Sequence, residues 1–84
     1  MNRRKLLARL ASGSLQNVAF RELEDLAAGF GFRCVRQSGS HRIYSHSAVS
    51  ELLNLQEVGS QAKPYQIRQL LRLVERYDLR LEGE

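Results

Sequence analysis

The 84-residue chain has a single cysteine, Cys34, and that scarcity removes two classes at once. No internal disulfide can form, and there is no cysteine pair for a zinc site. A lone thiol suits a reducing cytosol, so a cytoplasmic setting is expected. Cys34 lies between Phe32 and Val35 and reads as a buried, inert thiol rather than a nucleophile. Long apolar runs are also missing, since none approaches the ~20 residues of a membrane span. The apolar stretch after Arg3-Arg4-Lys5 is short and breaks at Arg9, so it does not read as a signal peptide. There is no glycine-rich phosphate loop of the P-loop or dinucleotide type. Ser40 beside His41 is not a hydrolase triad, because adjacent strand residues point to opposite faces and no Gly-x-Ser-x-Gly elbow is present. Acidic residues do not cluster near the histidines, so neither a metal nor a small-molecule cofactor is expected.

What is present fits one folded domain spanning 1–84. Hydrophobic residues make up 43% and charged residues 26%, ordinary for a folded chain. The net charge is +4, and its distribution is uneven. Residues 1–46 hold eight Lys/Arg against three Asp/Glu, whereas residues 47–84 hold five against six. The positive excess favours an anionic partner and lies in the half that contains His41, although a merely solvated basic surface gives the same composition.

Periodicity places the elements. Residues 3–11 read as a helix capped by Asn2, with Leu6, Leu7 and Leu10 as its apolar stripe. Residues 18–29 read as a second helix with Asn17 as cap and Phe20, Leu23, Leu26, Ala27 and Phe30 as core. The period then changes to two over 31–37, with Phe32 and Cys34 on one side. Ser38-Gly39-Ser40 is a turn, and 41–46 returns as a second strand of a hairpin. Residues 47–51 read as a loop and 52–56 as a third strand. Pro64, the only proline, opens a last helix whose apolar stripe is Ile67, Leu70, Leu71, Val74 and Tyr77. The fold class is α+β, an α-β-β-β-α unit like the double-stranded-RNA-binding domain with an extra N-terminal helix. It predicts a three-stranded antiparallel sheet with helices on one face.

Strand parity separates the two histidines. His41 and His46 are five residues apart and so face opposite sides of one strand. Tyr44 shares parity with His46 and is expected to pack toward the helices, which makes His46 a structural residue. His41 shares parity with Ile43 and is expected on the open face. It is either a surface histidine ending a turn or a group that meets phosphate. RNA carries its own nucleophile, and its cleavage needs the 2′-hydroxyl deprotonated, the phosphorane charge stabilised and the leaving oxygen protonated. Histidine, with a reference pKa of ~6.5, can move those protons. Arg33, Arg36, Arg42 and Lys63 are candidate sources of positive charge. Lys63 gains interest from its place at a helix N-terminus. Arg68, Arg72 and Arg76 form a row that is either a solvated face laced by Glu75 or a phosphate-contacting face. Tyr44 and Tyr65 read as core or rim aromatics rather than base-stacking platforms.

Gly39-Ser40-His41-Arg42-Ile43-Tyr44, followed by His46, resembles the Gly-Ser-His motif of the HicA (YcfA-like) toxins. The runs Leu53-Asn54-Leu55-Gln56 and Ala62-Lys63-Pro64-Tyr65-Gln66-Ile67 continue the likeness, which extends from about Leu6 to Tyr77. Two positions depart from the family pattern: Ser47 stands where proline usually follows the second histidine, and Ser60 where a second glycine is common. The resemblance implies an mRNA-cleaving endoribonuclease toxin with a HicB-type antitoxin partner that folds over the active site. It implies His41 as the catalytic residue. Arg36, Ser40, Arg42, Lys63 and Arg68 are the expected RNA contacts. The competing reading is a non-catalytic RNA-binding module that grips backbone through Lys63 and the arginine row.

Overall fold

A computed structural model describes residues 2–82. The order is α1 (Arg3–Ala11), α2 (Phe20–Gly29), β1 (Arg33–Ser38), β2 (His41–His46), β3 (Val49–Gln56) and α3 (Pro64–Arg76). The strands form one antiparallel sheet in the order β1-β2-β3. The expected α+β architecture is therefore the observed one.

The sheet has one buried and one open face, because its central and third strands alternate. Tyr44, Leu53 and Leu55 are buried, while Leu52 and Asn54 are exposed. The buried side packs against Phe20, Leu23, Leu26 and Ala27 of α2 and Ile67, Leu70 and Leu73 of α3 in one core. The α3 stripe is wider than its aliphatic spacing implies, since Gln66 and Leu73 are also buried. α1 is capped as expected, with Asn2 Oδ1 accepting the Lys5 N–H at 3.1 Å. It docks through Leu6 and Leu10 and through a two-pronged pairing of Arg3 with Asp25 at 3.0 and 2.9 Å.

Three expectations are corrected. The second helix starts at Phe20, not residue 18, and Asn17 does not cap it. Asn17 takes a left-handed φ of 57°, and Ala19 is extended in an antiparallel bridge with Gln61. Val18 O accepts from Ala62 N–H at 2.8 Å and Ser60 O from Phe20 N–H at 2.9 Å, so the segments leading into α2 and α3 are stitched together. Glu22 Oε1 covers the Ala19 N–H instead of an Asn cap. Residues 49–51, expected in a loop, belong to β3, leaving only Ser47-Ala48 as the turn. Finally, Cys34 is exposed rather than buried. β1 is an edge strand, every one of its residues is exposed, and its pairing with β2 is interrupted by a bulge between Cys34 and Arg36. The helix layer covers β2 and β3 and leaves β1 outside it.

Candidate functional site at the Gly39-Ser40-His41 hairpin

The β1–β2 hairpin closes on Gly39-Ser40, with Ser38 paired to His41. Gly39 has φ 60° while Ser40 keeps the ordinary negative sign, the pattern of a two-residue II′ turn that asks for glycine first. A side chain at Gly39 would meet nothing within 4 Å, so this glycine is required by backbone conformation rather than by crowding. The turn delivers His41 as the first residue of β2, exposed on the open face.

His41 pairs across the ladder with Gln56, and Ile43 with Asn54. Gln56 is drawn to the turn, its Nε2 donating to Ser40 Oγ at 3.4 Å. The diagonal neighbour Asn54 reaches His41 instead, with Asn54 Oδ1 3.3 Å from His41 Nδ1. Behind this corner lies a fully buried polar side chain, Gln66. Its amide pairs with the Gln56 backbone, Oε1 accepting from Gln56 N–H at 3.3 Å and Nε2 donating to Gln56 O at 3.0 Å. Nε2 also donates to Tyr65 Oη at 3.2 Å. One side chain thus satisfies the backbone on the outer edge of β3, where no further strand lies, and fixes the start of α3 against the strand end opposite His41. The apolar-stripe logic missed Gln66. The signal that could have found it is its place one residue before Ile67, inside the arc that must face the sheet.

The other expected contacts divide. Arg36 is exposed and pairs with Ile43, so it shares the face of His41. Ser40 is exposed in the turn, and its carbonyl accepts the Glu57 N–H at 3.0 Å. Lys63 is exposed at the N-cap of α3. Arg68 is exposed on α3, in the helix layer rather than on the sheet's open face. Among the described residues, Arg36, Lys63 and Arg68 enter no ion pair. Arg42 departs from expectation. It has the parity of Tyr44, and its guanidinium lies on the helix side, 3.5 Å from Glu24 Oε1 and 3.3 Å from Glu57 Oε1, 5.1 Å over the Phe20 ring. It is not available to a ligand on the open face. Of the arginine row, Arg76 is tied to the sheet rather than to Glu75, pairing with Glu51 Oε2 at 2.7 Å. Tyr77 also donates to Glu51, and these bonds hold the Glu51 carboxyl below its ordinary value.

The helix-side face of β2 is fully committed. Tyr44 donates to Glu24 Oε2 at 2.7 Å, and burial together with that bond pushes its hydroxyl well above the ordinary tyrosine range. His46 Nδ1 accepts the Ala48 N–H at 3.0 Å, so its proton is on Nε2, which donates to Phe30 O at 2.9 Å. The ring stands edge-on to Phe32 at 5.1 Å. Gly31, at φ 98°, is the residue that lets it in, because a Cβ there would meet His46 Nε2 at 2.9 Å. A cleft of about 470 Å³ lies elsewhere, lined by Leu7, Phe30, Val74 and Leu81 among others, and none of its lining residues is on the sheet. Among the described residues no three His, Cys, Asp or Glu side chains converge as a metal set, and no helix is long and apolar enough to cross a membrane.

A family model described as HicA toxin of bacterial toxin-antitoxin matches residues 20–75. The match runs from the first residue of α2 to nearly the end of α3 and leaves α1 outside it. No curated protein and no solved structure matches the chain.

Proposed function

The chain belongs to the HicA toxin family, and is therefore the toxin of a bacterial toxin-antitoxin pair; on that premise we propose that it is a metal-independent endoribonuclease that cleaves mRNA, with His41 as its acid/base residue. The observation that carries the reading is the setting of His41. Its imidazole is exposed on an open sheet face beside unpaired Arg36, and one ring nitrogen is engaged by Asn54. The imidazole accepts the 2′-hydroxyl proton as the 2′-oxygen bonds to phosphorus and the bond to the 5′-oxygen breaks. The 5′-oxygen takes up a proton from solvent water, leaving a 2′,3′-cyclic phosphate and a 5′-hydroxyl end. Arg36, Ser40, Lys63 and Arg68 contact the RNA backbone, and Arg42 supports the site from the helix side. The partner is a HicB-type antitoxin that folds over the His41 face, and both act in the cytoplasm.

Induced expression tests this in cells. Wild-type chain is expected to arrest growth, and His41→Ala is expected to be harmless at equal protein level. A harmless wild type removes the enzyme reading, and a His41→Ala variant as toxic as wild type removes the residue assignment. A non-catalytic RNA-binding module would instead bind RNA in a salt-sensitive way, with no cleavage and no dependence on His41.

A further inference from the structure

We infer that Asn54 is a positioning residue that holds His41 in the Nδ1–H tautomer, so that Nε2 is the nitrogen that exchanges protons with a ligand on the open face. The inference about proton exchange rests on the ribonuclease reading, whereas the tautomer is set by this chain's own geometry. An amide carbonyl oxygen can only accept, so the 3.3 Å contact between His41 Nδ1 and Asn54 Oδ1 requires the hydrogen on Nδ1. Nε2 then carries the lone pair, as a general base must.

The ladder explains why Asn54 does this and its neighbours do not. Gln56, directly opposite His41, is turned to Ser40 Oγ. Its backbone is gripped on both N–H and C=O by Gln66, which fixes the strand end. Leu53 and Leu55 on either side of Asn54 are fully buried, so Asn54 is anchored with its side chain on the face of His41. Asparagine sets the tautomer without placing a negative charge beside a site that must accept phosphate, which a carboxylate at this position would oppose.

His46 supplies an internal control, because its two bonds demand the opposite tautomer, Nε2–H. The test is nitrogen NMR of the full chain labelled with ¹⁵N at histidine, recorded above the imidazole titration range. Wild type is expected to show Nδ1–H for His41 and Nε2–H for His46. In Asn54→Ala the His41 signals are expected to move away from Nδ1–H while those of His46 stay. An Nε2–H signal for His41 in wild type, or a His41 signal unmoved in Asn54→Ala, overturns the inference. Asn54 is exposed, so Asn54→Ala should not disturb the fold, and the unmoved His46 signals verify that. In RNA cleavage, Asn54→Ala is expected to lower kcat about tenfold with KM little changed. Asn54→Asp keeps the acceptor and restores most of kcat, raises KM because its charge opposes the phosphate, and moves the low-pH limb of the rate profile upward by roughly half a unit. If wild type cleaves but neither variant alters kcat or the profile, the positioning role is lost. If wild type does not cleave while the NMR result holds, the ribonuclease reading fails and the tautomer assignment stands.

Discussion

His41 and His46 are the two ends of one six-residue strand, yet the fold treats them as different kinds of residue. His46 has both ring nitrogens bound within the fold, to the Ala48 N–H and the Phe30 carbonyl, and its ring edge against Phe32. His41 has one nitrogen bound, by a side chain, and is otherwise exposed. The same contrast holds along β2. Arg42, Tyr44 and His46 are tied into α2 and the loops on the helix side, while His41, Ile43 and Ser45 occupy the open face. Side-chain chemistry alone does not separate structure from function here. The number of polar groups already satisfied on each side of the strand does.

The sharpest way to break this comparison is to exchange its ends. His41→Ala is expected to lower RNA cleavage by about 10²–10⁴-fold, the usual worth of a positioned acid/base group, while changing stability by less than about 0.5 kcal/mol. His46→Ala is expected to show the reverse, losing about 1–3 kcal/mol because it leaves the part-buried Phe30 carbonyl unpaired and removes the edge contact with Phe32, with kcat largely kept. Cleavage assays paired with urea melts decide both, and equal activity losses in the two variants would erase the distinction.

Gln66→Leu sharpens the contrast from behind. It removes both side-chain bonds to the Gln56 backbone, and an expected loss of about 1–3 kcal/mol follows from two part-buried groups left without partners. Amide exchange should accelerate at Gln56 more than at Tyr44. Tyr44→Phe is a smaller perturbation, removing one hydrogen bond to Glu24 for about 1 kcal/mol. A Tyr44→Phe chain as stable as wild type would show that the helix-side network is dispensable.

The smallest expected effect concerns acid. Asp25 is held below its ordinary value chiefly by hydrogen bonding to Arg3, and Glu51 by hydrogen bonding to Tyr77 and then Ser50 and Arg76. A carboxyl whose folded value is depressed stabilises the fold above its unfolded value of ~4, and that contribution is lost as pH falls through the depressed value. Stability is therefore expected to decline below about pH 4, and less steeply in Asp25→Asn and Glu51→Gln. Both carboxyls are partly exposed, so the change is modest. Parallel curves for wild type and variants would contradict it.

Much of this architecture is legible as period. The shift from 3.6 to 2 after Gly31 locates the hairpin, and parity alone separates His41 from His46. Parity also turns Arg42 toward Tyr44 and away from the face of His41, which a count of positive charge near the motif does not express. What period cannot express is position within the sheet. Cys34 alternates correctly, but it lies on an edge strand beyond the helix layer, so alternation does not bury it. Gln66 is invisible for the opposite reason. A polar residue on a helix reads as solvent-facing unless its partner, here the backbone of Gln56, is already known. Asn54 is the same case on the open face, since a diagonal contact with His41 depends on the register of two strands.

The most direct test is cleavage of a defined RNA by purified wild-type chain in the presence of chelator, with analysis of the ends. The account predicts 2′,3′-cyclic phosphate and 5′-hydroxyl termini from wild type and intact RNA with His41→Ala. Intact RNA with wild type, or the same fragments from His41→Ala, would contradict it.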